Sequence, residues 1–299
     1  MSNKLFDVEK FAAVARRAVA EGIVLLKNDD NALPLKKGAK IALFGRSQFN
    51  YYKSGTGSGG MVNTAYVVGV REALESDDRF SLNAKLKDTY DEWIKDHPYE
   101  LGEGWAAEPW FQEEMPISAD FAKEISEESD VAIVLIGRTA GEDQDNSNKQ
   151  GSYLLTDDER EILKNVTAAF KQTVVLLNVG NIIDMKWVEE YNPSAVAYIW
   201  QGGQEGGNGA LDVLSGDVNP SGRLTDTIAR DITDYPSDAN FGGEKCNIQQ
   251  EDIYVGYRYF ETFAKEKVLY PFGFGLSYTT FSIEAKKFEG EDDKGYFTV

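Results

Sequence analysis

Four short apolar runs constrain the fold of this chain more than any other feature. Each run is nearly continuous in aliphatic residues instead of alternating with polar ones, and they lie at residues 40–45, 131–137, 173–178 and 195–200. Strands of a parallel sheet have this pattern because helices cover both of its faces. The runs therefore predict a buried, mainly parallel sheet.

Helical signals lie around these strands. Thr156 and Glu159 have the spacing of a capping box, in which each side chain binds the backbone N–H of the other residue, so a helix is predicted from 156 to about 170. Apolar residues recur at spacings of three and four over residues 8–27, which predicts another helix. Further helices are predicted over residues 118–128, 184–191 and 209–214. The alternation of strand and helix predicts an α/β sandwich of flavodoxin-like type.

The remaining segments predict the domain organisation. Residues 1–280 are assigned to the α/β domain, with a partly helical insertion at about 80–117 on its edge and a polar linker at about 231–250. Residues 281–299 begin by alternating apolar and polar positions, as a half-buried antiparallel strand does. A second, truncated β-domain is therefore predicted to start at residue 281.

Composition excludes several classes of protein. A single Cys, Cys246, cannot form an internal disulfide, and with one His, His97, it cannot build a Cys/His zinc site. A formal net charge of -19 disfavours binding to nucleic acid. No metal or other cofactor is predicted. A serine triad would have to use His97, which lies inside the insertion.

The amino-acid sequence also shows no recognisable targeting signal. The first ten residues are mixed and charged, and no apolar stretch of a secretory signal follows them. The apolar runs are far shorter than the ~20 residues that a membrane-spanning helix needs. We expect a soluble, cytoplasmic protein without a membrane partner.

The first candidate site is a glycine-rich loop at residues 55–60, which fits the pattern G-x-G-x-x-G by letters. A dinucleotide fingerprint places these glycines at the tip of a strand and at the start of a helix. Here the predicted strand ends at Gly45, about ten residues earlier. A nucleotide site, a loop that closely approaches another ligand, and a plain solvent loop remain open. No G-K-[ST] follows, which excludes a Walker-type loop.

The second candidate is an acidic loop that directly follows the second predicted strand and carries Glu142, Asp143 and Asp145. Ligands of open α/β sheets bind at the carboxyl ends of the strands. Mutual repulsion of clustered carboxylates is expected to raise some of their pKa values, and a carboxylic acid with a raised pKa can act as a general acid. A solvated acidic loop or a cation-binding loop would have the same composition.

The third candidate follows the fourth predicted strand, where residues 200–207 have the sequence WQGGQEGG. Trp200 can stack on a sugar or another ring, or it can fill the core. The paired glycines favour close approach of the backbone to a neighbouring group.

Several longer stretches together resemble the α/β sandwich domain of glycoside hydrolase family 3. They span most of the chain and occur in the family's order: AEGIVLLKN at 20–28, ALPL at 32–35, WQGGQEGG at 200–207, LSGDVNPSGRL at 214–224, IYVGYRYF at 253–260 and YPFGFGLSYT at 270–279. By the same resemblance, residues 281–299 look like the start of the fibronectin-type-III-like domain that follows in many members.

The resemblance implies a chemistry. The family hydrolyses β-linked sugars at non-reducing ends with retention of configuration, which requires two carboxylates. The nucleophile is an Asp in a separate (β/α)8 barrel, which this chain does not contain. The acid/base of many members is a Glu in a Gly-Glu-x-x-Asp loop of the sandwich domain, a pattern that Glu142 and Asp145 match. This sequence has Asp143, Gln144 and Asn146 where many relatives have Gly, Tyr and Arg.

The resemblance also implies the substrate-binding residues and the partners. The glycine and tryptophan loops would line the cleft against the barrel, with Ser54, Gly55, Gly57, Ser58, Asp145, Trp200 and Gln201 binding substrate. The expected partners are a small carbohydrate, by default a β-glucoside although a β-xyloside or an N-acetylglucosaminide would also suit the family, and the barrel itself. A face built to pack on the barrel could instead form a homo-oligomer.

Because the sandwich domain begins within about 20 residues of Met1, we expect the reversed domain order that some members have, and no turnover by the isolated chain. The alternative is a non-catalytic carbohydrate-binding or accessory protein with the same fold.

Overall fold

A six-stranded sheet forms the centre of the protein. The computed structural model describes residues 7–142, 144–243, 245–246, 248–282 and 284. The strands of the sheet are β1 Val24–Asn28, β2 Lys40–Phe44, β3 Ser81–Leu82, β4 Val131–Arg138, β5 Thr173–Val179 and β6 Ala195–Tyr198. They lie in the order β1-β6-β5-β4-β2-β3, and every neighbouring pair is parallel except β1 with β6.

Helices cover both faces of this sheet. They are α1 Val8–Gly22, α2 Val70–Glu75, α3 Ala84–Asp96, α4 Ala119–Glu127, α5 Asp157–Ala169, α6 Trp187–Tyr191, α7 Gly206–Ser215 and α8 Tyr257–Phe263. Helices α1, α2 and α7 share one apolar core with the sheet, and α3 to α6 share the other. A separate antiparallel pair joins β7 Ile228–Ala229 to β8 Val268–Tyr270. The predicted α/β sandwich is confirmed.

Strand β4 shows why the apolar runs are continuous. Ile133 and Leu135 point into the core with α1, α2 and α7, whereas Val134 and Ile136 point into the opposite core. All eight residues of β4 are buried. A strand with water on one face would carry polar residues at every second position. The absence of this alternation in β4 therefore indicates that both faces of the sheet are covered.

Both edge strands of the sheet, β1 and β3, differ from the prediction. The helix predicted over 8–27 ends at Gly22, and Ile23 is already extended, with φ −63° and ψ 130°. The next residues form β1, which pairs antiparallel with β6 at the sheet edge. At the other edge, β3 and α3 continue the βα rhythm inside the segment predicted as an insertion at 80–117, so the irregular part of that segment begins at His97.

A buried ion pair joins β4 to α5. The predicted capping box is present, since Glu159 N donates to Thr156 Oγ1 at 3.1 Å and Thr156 N donates to Glu159 Oε2 at 2.8 Å. The same carboxylate also accepts hydrogen bonds from both terminal nitrogens of Arg138, with Nη2 at 2.5 Å from Oε2. The two side chains are 0% and 3% exposed.

Glu114 gives the fold a pH dependence. It is buried and its Oε2 accepts from Arg46 N at 2.7 Å. Burial, with the charge of Glu159, raises the pKa of Glu114 to about 8. A folded-state pKa above the unfolded one gives stability that is complete below the unfolded pKa and is lost as pH rises through the folded pKa.

We expect Glu114→Gln to remove this pH dependence. Between the usual glutamate pKa and about 8, the free energy of unfolding of the parent should fall relative to the variant, with a slope of up to about 1.4 kcal/mol per pH unit. Urea unfolding of the parent and the variant at pH 5, 6, 7 and 8 measures the difference between their free energies of unfolding. The contributions of the other titrating groups cancel in this difference. A difference that is constant with pH would contradict the prediction.

Some predicted features fall outside these elements. Of the β-domain predicted at 281–299, the structure describes only residues 281, 282 and 284, so that prediction lies mostly outside the described residues. Within the described ranges, no helix combines the length and the apolar character that crossing a membrane requires.

Candidate active site at the carboxyl edge of the sheet

Three loops meet at the carboxyl edge of the sheet. We call residues 51–60 the glycine loop, residues 139–146 the acidic loop and residues 200–205 the tryptophan loop. They follow β2, β4 and β6 in the chain, and the carboxyl ends of parallel strands share one edge. The three candidate sites of the sequence therefore belong to one region.

The glycine loop packs directly on the acidic loop. Thr56 N donates to Ala140 O at 2.8 Å, and residues 56 and 141 form a parallel bridge. A Cβ atom added at Gly55 would lie 2.2 Å from Ala140 O, so only glycine permits this approach. The loop contains a three-residue 3-10 helix, Gly57–Gly59, and opens no α-helix, so it lacks the geometry of a dinucleotide fingerprint.

Glu142 lies at the contact between these two loops. Its carboxylate is exposed, and its Oε2 accepts a hydrogen bond from Ser58 N at 2.9 Å. This bond stabilises the charged form and lowers the pKa of Glu142 below its usual value. The expectation that clustered carboxylates raise the pKa is wrong for this residue, because the backbone donor is close and water screens the neighbouring charges.

We expect Gly57→Ala to displace Glu142. Gly57 has φ +70°, and a Cβ there would lie 2.4 Å from Cβ and 2.8 Å from Oε2 of Glu142. The carboxylate should lose Ser58 N, so the pKa of Glu142 should rise to about its ordinary value of 4.3. An NMR titration of the Glu142 carboxyl carbon measures this. Gly59→Ala is the matched control, since an added Cβ there meets nothing within 4 Å; equal titration curves for Gly57→Ala and Gly59→Ala would refute the prediction.

The tryptophan loop is tied to the scaffold. Trp200 has φ +53°, donates its indole N–H to Gly22 O at 3.0 Å and stacks on Tyr198 at 4.6 Å between ring centroids. Its polar atom and one ring face are thus used within the fold. These contacts favour the packing interpretation of Trp200 over the stacking of a sugar.

Gln201 and Ser54 lie closer to the other loops. Gln201 Nε2 lies 3.4 Å from Arg138 O, at the carboxyl end of β4. Gly203 N donates to Lys53 O at 2.9 Å, which joins the tryptophan loop to the residue before Ser54. The Oγ of Ser54 accepts from Lys53 Nζ at 3.3 Å. The structure therefore brings Ser54, Gly55, Gly57, Ser58 and Glu142 together, with Gln201 beside them.

Asn178 organises this edge, although the sequence pattern predicts it only as a strand residue. Its side chain is fully buried at the end of β5. Oδ1 accepts from Tyr52 N at 2.8 Å, while Nδ2 donates to Tyr52 O at 3.0 Å and to Trp200 O at 2.6 Å. One amide thus joins the glycine and tryptophan loops. The available signal was a polar residue closing an otherwise apolar run.

We expect Asn178→Leu to destabilise the protein by about 3 kcal/mol, because it removes three hydrogen bonds and leaves backbone groups of Tyr52 buried without a partner. Thermal unfolding measures the loss. Asn181→Leu, in the half-buried bend that follows β5, serves as the control because the buried Oδ1 of Asn181 has no hydrogen bond. Similar losses for the two variants would contradict the role assigned to Asn178.

Asp145 faces a different cavity from Gly57. It lines a pocket of about 320 Å³ together with Asn146, Tyr153 and Asn181. A second pocket, of about 380 Å³, is lined by Gly57, Gly60, Leu101 and Trp105. The acidic loop therefore borders the first cavity through Asp145 and Asn146, whereas Gly57, which contacts Glu142, lines the second one.

Comparison with known proteins shows what most of this chain is similar to. The model of the glycosyl hydrolase family 3 C-terminal domain matches residues 23–278. A β-glucosidase of Ruminococcus albus is 54% identical over 286 residues, which are 96% of this chain and 30% of that protein. The chain thus spans about a third of the length of this relative.

Solved structures agree in fold and in sequence. A β-glucosidase from Paenibacillus barengoltzii superposes with a TM-score of 0.90 at 51% identity, covering 95% of this chain and 31% of that one. β-Glucosidase 3B from Thermotoga neapolitana, solved in complex with glucose, gives a TM-score of 0.82 at 37% identity, covering 92% of this chain and 39% of that one.

Proposed function

This chain belongs to glycoside hydrolase family 3, and we propose that it is the α/β sandwich domain of a retaining β-glucosidase, with Glu142 as the acid/base. The observation that carries the proposal is the position of Glu142. Its carboxylate is exposed at the carboxyl edge of the sheet, and the glycine loop fixes it through Gly57 and Ser58. An acid that acts on a substrate held partly by another domain has to be exposed in this way.

In this mechanism Glu142 acts twice. It first protonates the glycosidic oxygen as the bond to the sugar breaks, while an Asp of the barrel attacks the anomeric carbon. The resulting carboxylate then removes a proton from the water that hydrolyses the glycosyl-enzyme. Gly57 and Ser58 orient the carboxylate, and Ser54, Gly55 and Gln201 are the proposed binding residues along the same edge. Trp200 is used in packing and Asp145 faces a separate cavity, so neither is included.

The first step requires a protonated Glu142, although the Ser58 N–H group lowers the pKa of this residue in the isolated domain. Docking of the barrel and binding of the substrate would bury the carboxyl, and burial favours its neutral form. We therefore expect the sandwich domain alone to hold Glu142 as a carboxylate, and the assembled cleft to raise its pKa.

A chimera tests the proposal. This chain replaces the segment of the Ruminococcus albus enzyme that is 54% identical to it. The chimera should hydrolyse 4-nitrophenyl β-glucoside, and the chain alone should not, because the nucleophile lies in the barrel. Turnover by the chain alone would refute the assignment of the nucleophile to the barrel. A folded but inactive chimera in which the chain still binds glucosides would refute the enzyme proposal and favour the accessory carbohydrate-binding protein.

A further inference from the structure

The acidic loop has a second neighbour that the proposed function does not use. Residues 97–112, which we call the 97–112 loop, follow α3 in the chain and contact the acidic loop in the folded protein. The turn that carries Glu142 is closed by Gln144 N, which donates to Gly141 O at 3.2 Å. The side chain of Gln144 then reaches into the 97–112 loop, where Nε2 donates to Ala106 O at 2.5 Å and to Glu108 O at 2.6 Å.

The base of the 97–112 loop is tied to the core. Gln112 is buried, and its side chain exchanges two hydrogen bonds with the backbone of Glu100, at 2.8 and 2.9 Å. Arg46 Nη2 donates to His97 O at 2.9 Å. Thr139 N, at the start of the acidic loop, donates to Trp110 O at 2.9 Å. A segment fixed at its base in this way can serve as a rigid support for the acidic loop.

The tip of the loop holds a strained residue at the point of contact. Ala106 has φ +51°, a left-handed conformation that non-glycine residues seldom adopt. Such strain persists only where the surroundings determine the conformation. The Ala106 carbonyl is one of the two acceptors of Gln144, so the strained turn and the acidic loop hold each other in place.

We propose that Gln144 is a positioning residue for Glu142. The turn that carries Glu142 is held on one side by the glycine loop, through Thr56, and on the other by the 97–112 loop, through Gln144. An amide suits this task because it supplies two N–H groups to two carbonyls and carries no charge that could disturb the neighbouring carboxylate. The inference rests on the proposed acid/base role of Glu142.

The first test uses the 299-residue chain itself. Gln144→Met keeps the length of the side chain and removes both donors. We expect amide exchange in residues 139–142 to accelerate about tenfold, and the pKa of Glu142 to move up toward its usual value as the contact with Ser58 loosens. Gln150→Met is the matched control, since Gln150 is exposed on the same side of β4 and donates only to Asp157 Oδ1. Exchange and titration unchanged in Gln144→Met would overturn the inference.

The second test uses the chimera and two leaving groups. Gln144→Met should lower kcat/KM about tenfold for methyl β-glucoside, which needs protonation of its leaving group, and leave 2,4-dinitrophenyl β-glucoside almost unaffected. An equal loss on both substrates would mean a merely structural role and overturn the inference. Glu142→Gln is measured in parallel. If the loss of activity in Glu142→Gln does not depend on the leaving group, the proposed function fails. If it depends on the leaving group in Glu142→Gln but not in Gln144→Met, only the positioning role of Gln144 fails.

Discussion

Replacement of Glu142 by Gln is expected to slow the hydrolysis of β-glucosides with poor leaving groups by about 10²- to 10⁴-fold, the usual contribution of a positioned acid. Gln keeps the size of the side chain and its acceptor for Ser58 N, but it can neither give a proton to the glycosidic oxygen nor take one from water. With 2,4-dinitrophenyl β-glucoside the first step needs no acid, so formation of the glycosyl-enzyme should stay fast and its hydrolysis should become limiting.

Two measurements separate this expectation from a general loss of structure. A burst of dinitrophenol followed by a slow steady state should appear in the chimera with Glu142→Gln. Azide should restore turnover as glucosyl azide, because it attacks the glycosyl-enzyme without the help of a base. Glu161→Gln, an exposed residue of α5, is the matched control and should behave as the parent. Parental rates with methyl β-glucoside for Glu142→Gln would remove it from the mechanism.

The sequence predicted the layers of this fold well because local patterns carry them. Continuous apolar runs report strands that are buried on both faces, and the capping box at Thr156 depends on residues three positions apart. The edge strands were harder to predict. Strand β3 has two residues, and the run that forms β1 follows Gly22 without a polar break, so helix and strand patterns merge there.

The candidate site was predicted in its location but not in its contacts. Parallel strands bring the loops after them to one edge, so the acidic and glycine loops could be placed together in principle. The bond from Ser58 to Glu142 spans 84 positions, and no local pattern reports it. Hydrogen bonds from the backbone and side chain of Ser58 lower the pKa of Glu142, which is opposite to the direction expected from the clustered carboxylates. Gln144 likewise has partners 36 and 38 positions away, which only the folded chain brings near.

The largest effect on stability is expected from substitutions in the buried ion pair of Arg138 and Glu159. Arg138 is the last residue of β4, directly before the acidic loop, and it is fully enclosed. Burial disfavours the charged guanidinium and would lower the pKa of Arg138. The charge of Glu159 and its hydrogen bonds outweigh this effect, so the pKa of Arg138 is raised. The same guanidinium donates to Gly137 O at 2.8 Å. Loss of either partner leaves an uncompensated charge in the core.

We expect Arg138→Met to lower the free energy of unfolding by about 3–5 kcal/mol, a large part of the stability of an average domain. Glu159→Gln should cost a similar amount although it keeps a capping side chain for Thr156, and the double variant should be more stable than either single one because no charge is left unpaired. Urea unfolding of the four chains gives the coupling energy. Arg160 also lies on α5, but its side chain is partly exposed and its ion pairs with Asp184 and Glu190 are 4.0 and 3.6 Å long, so Arg160→Met should cost less than about 1 kcal/mol. Additive losses in the double variant would show that Arg138 and Glu159 stabilise the core independently.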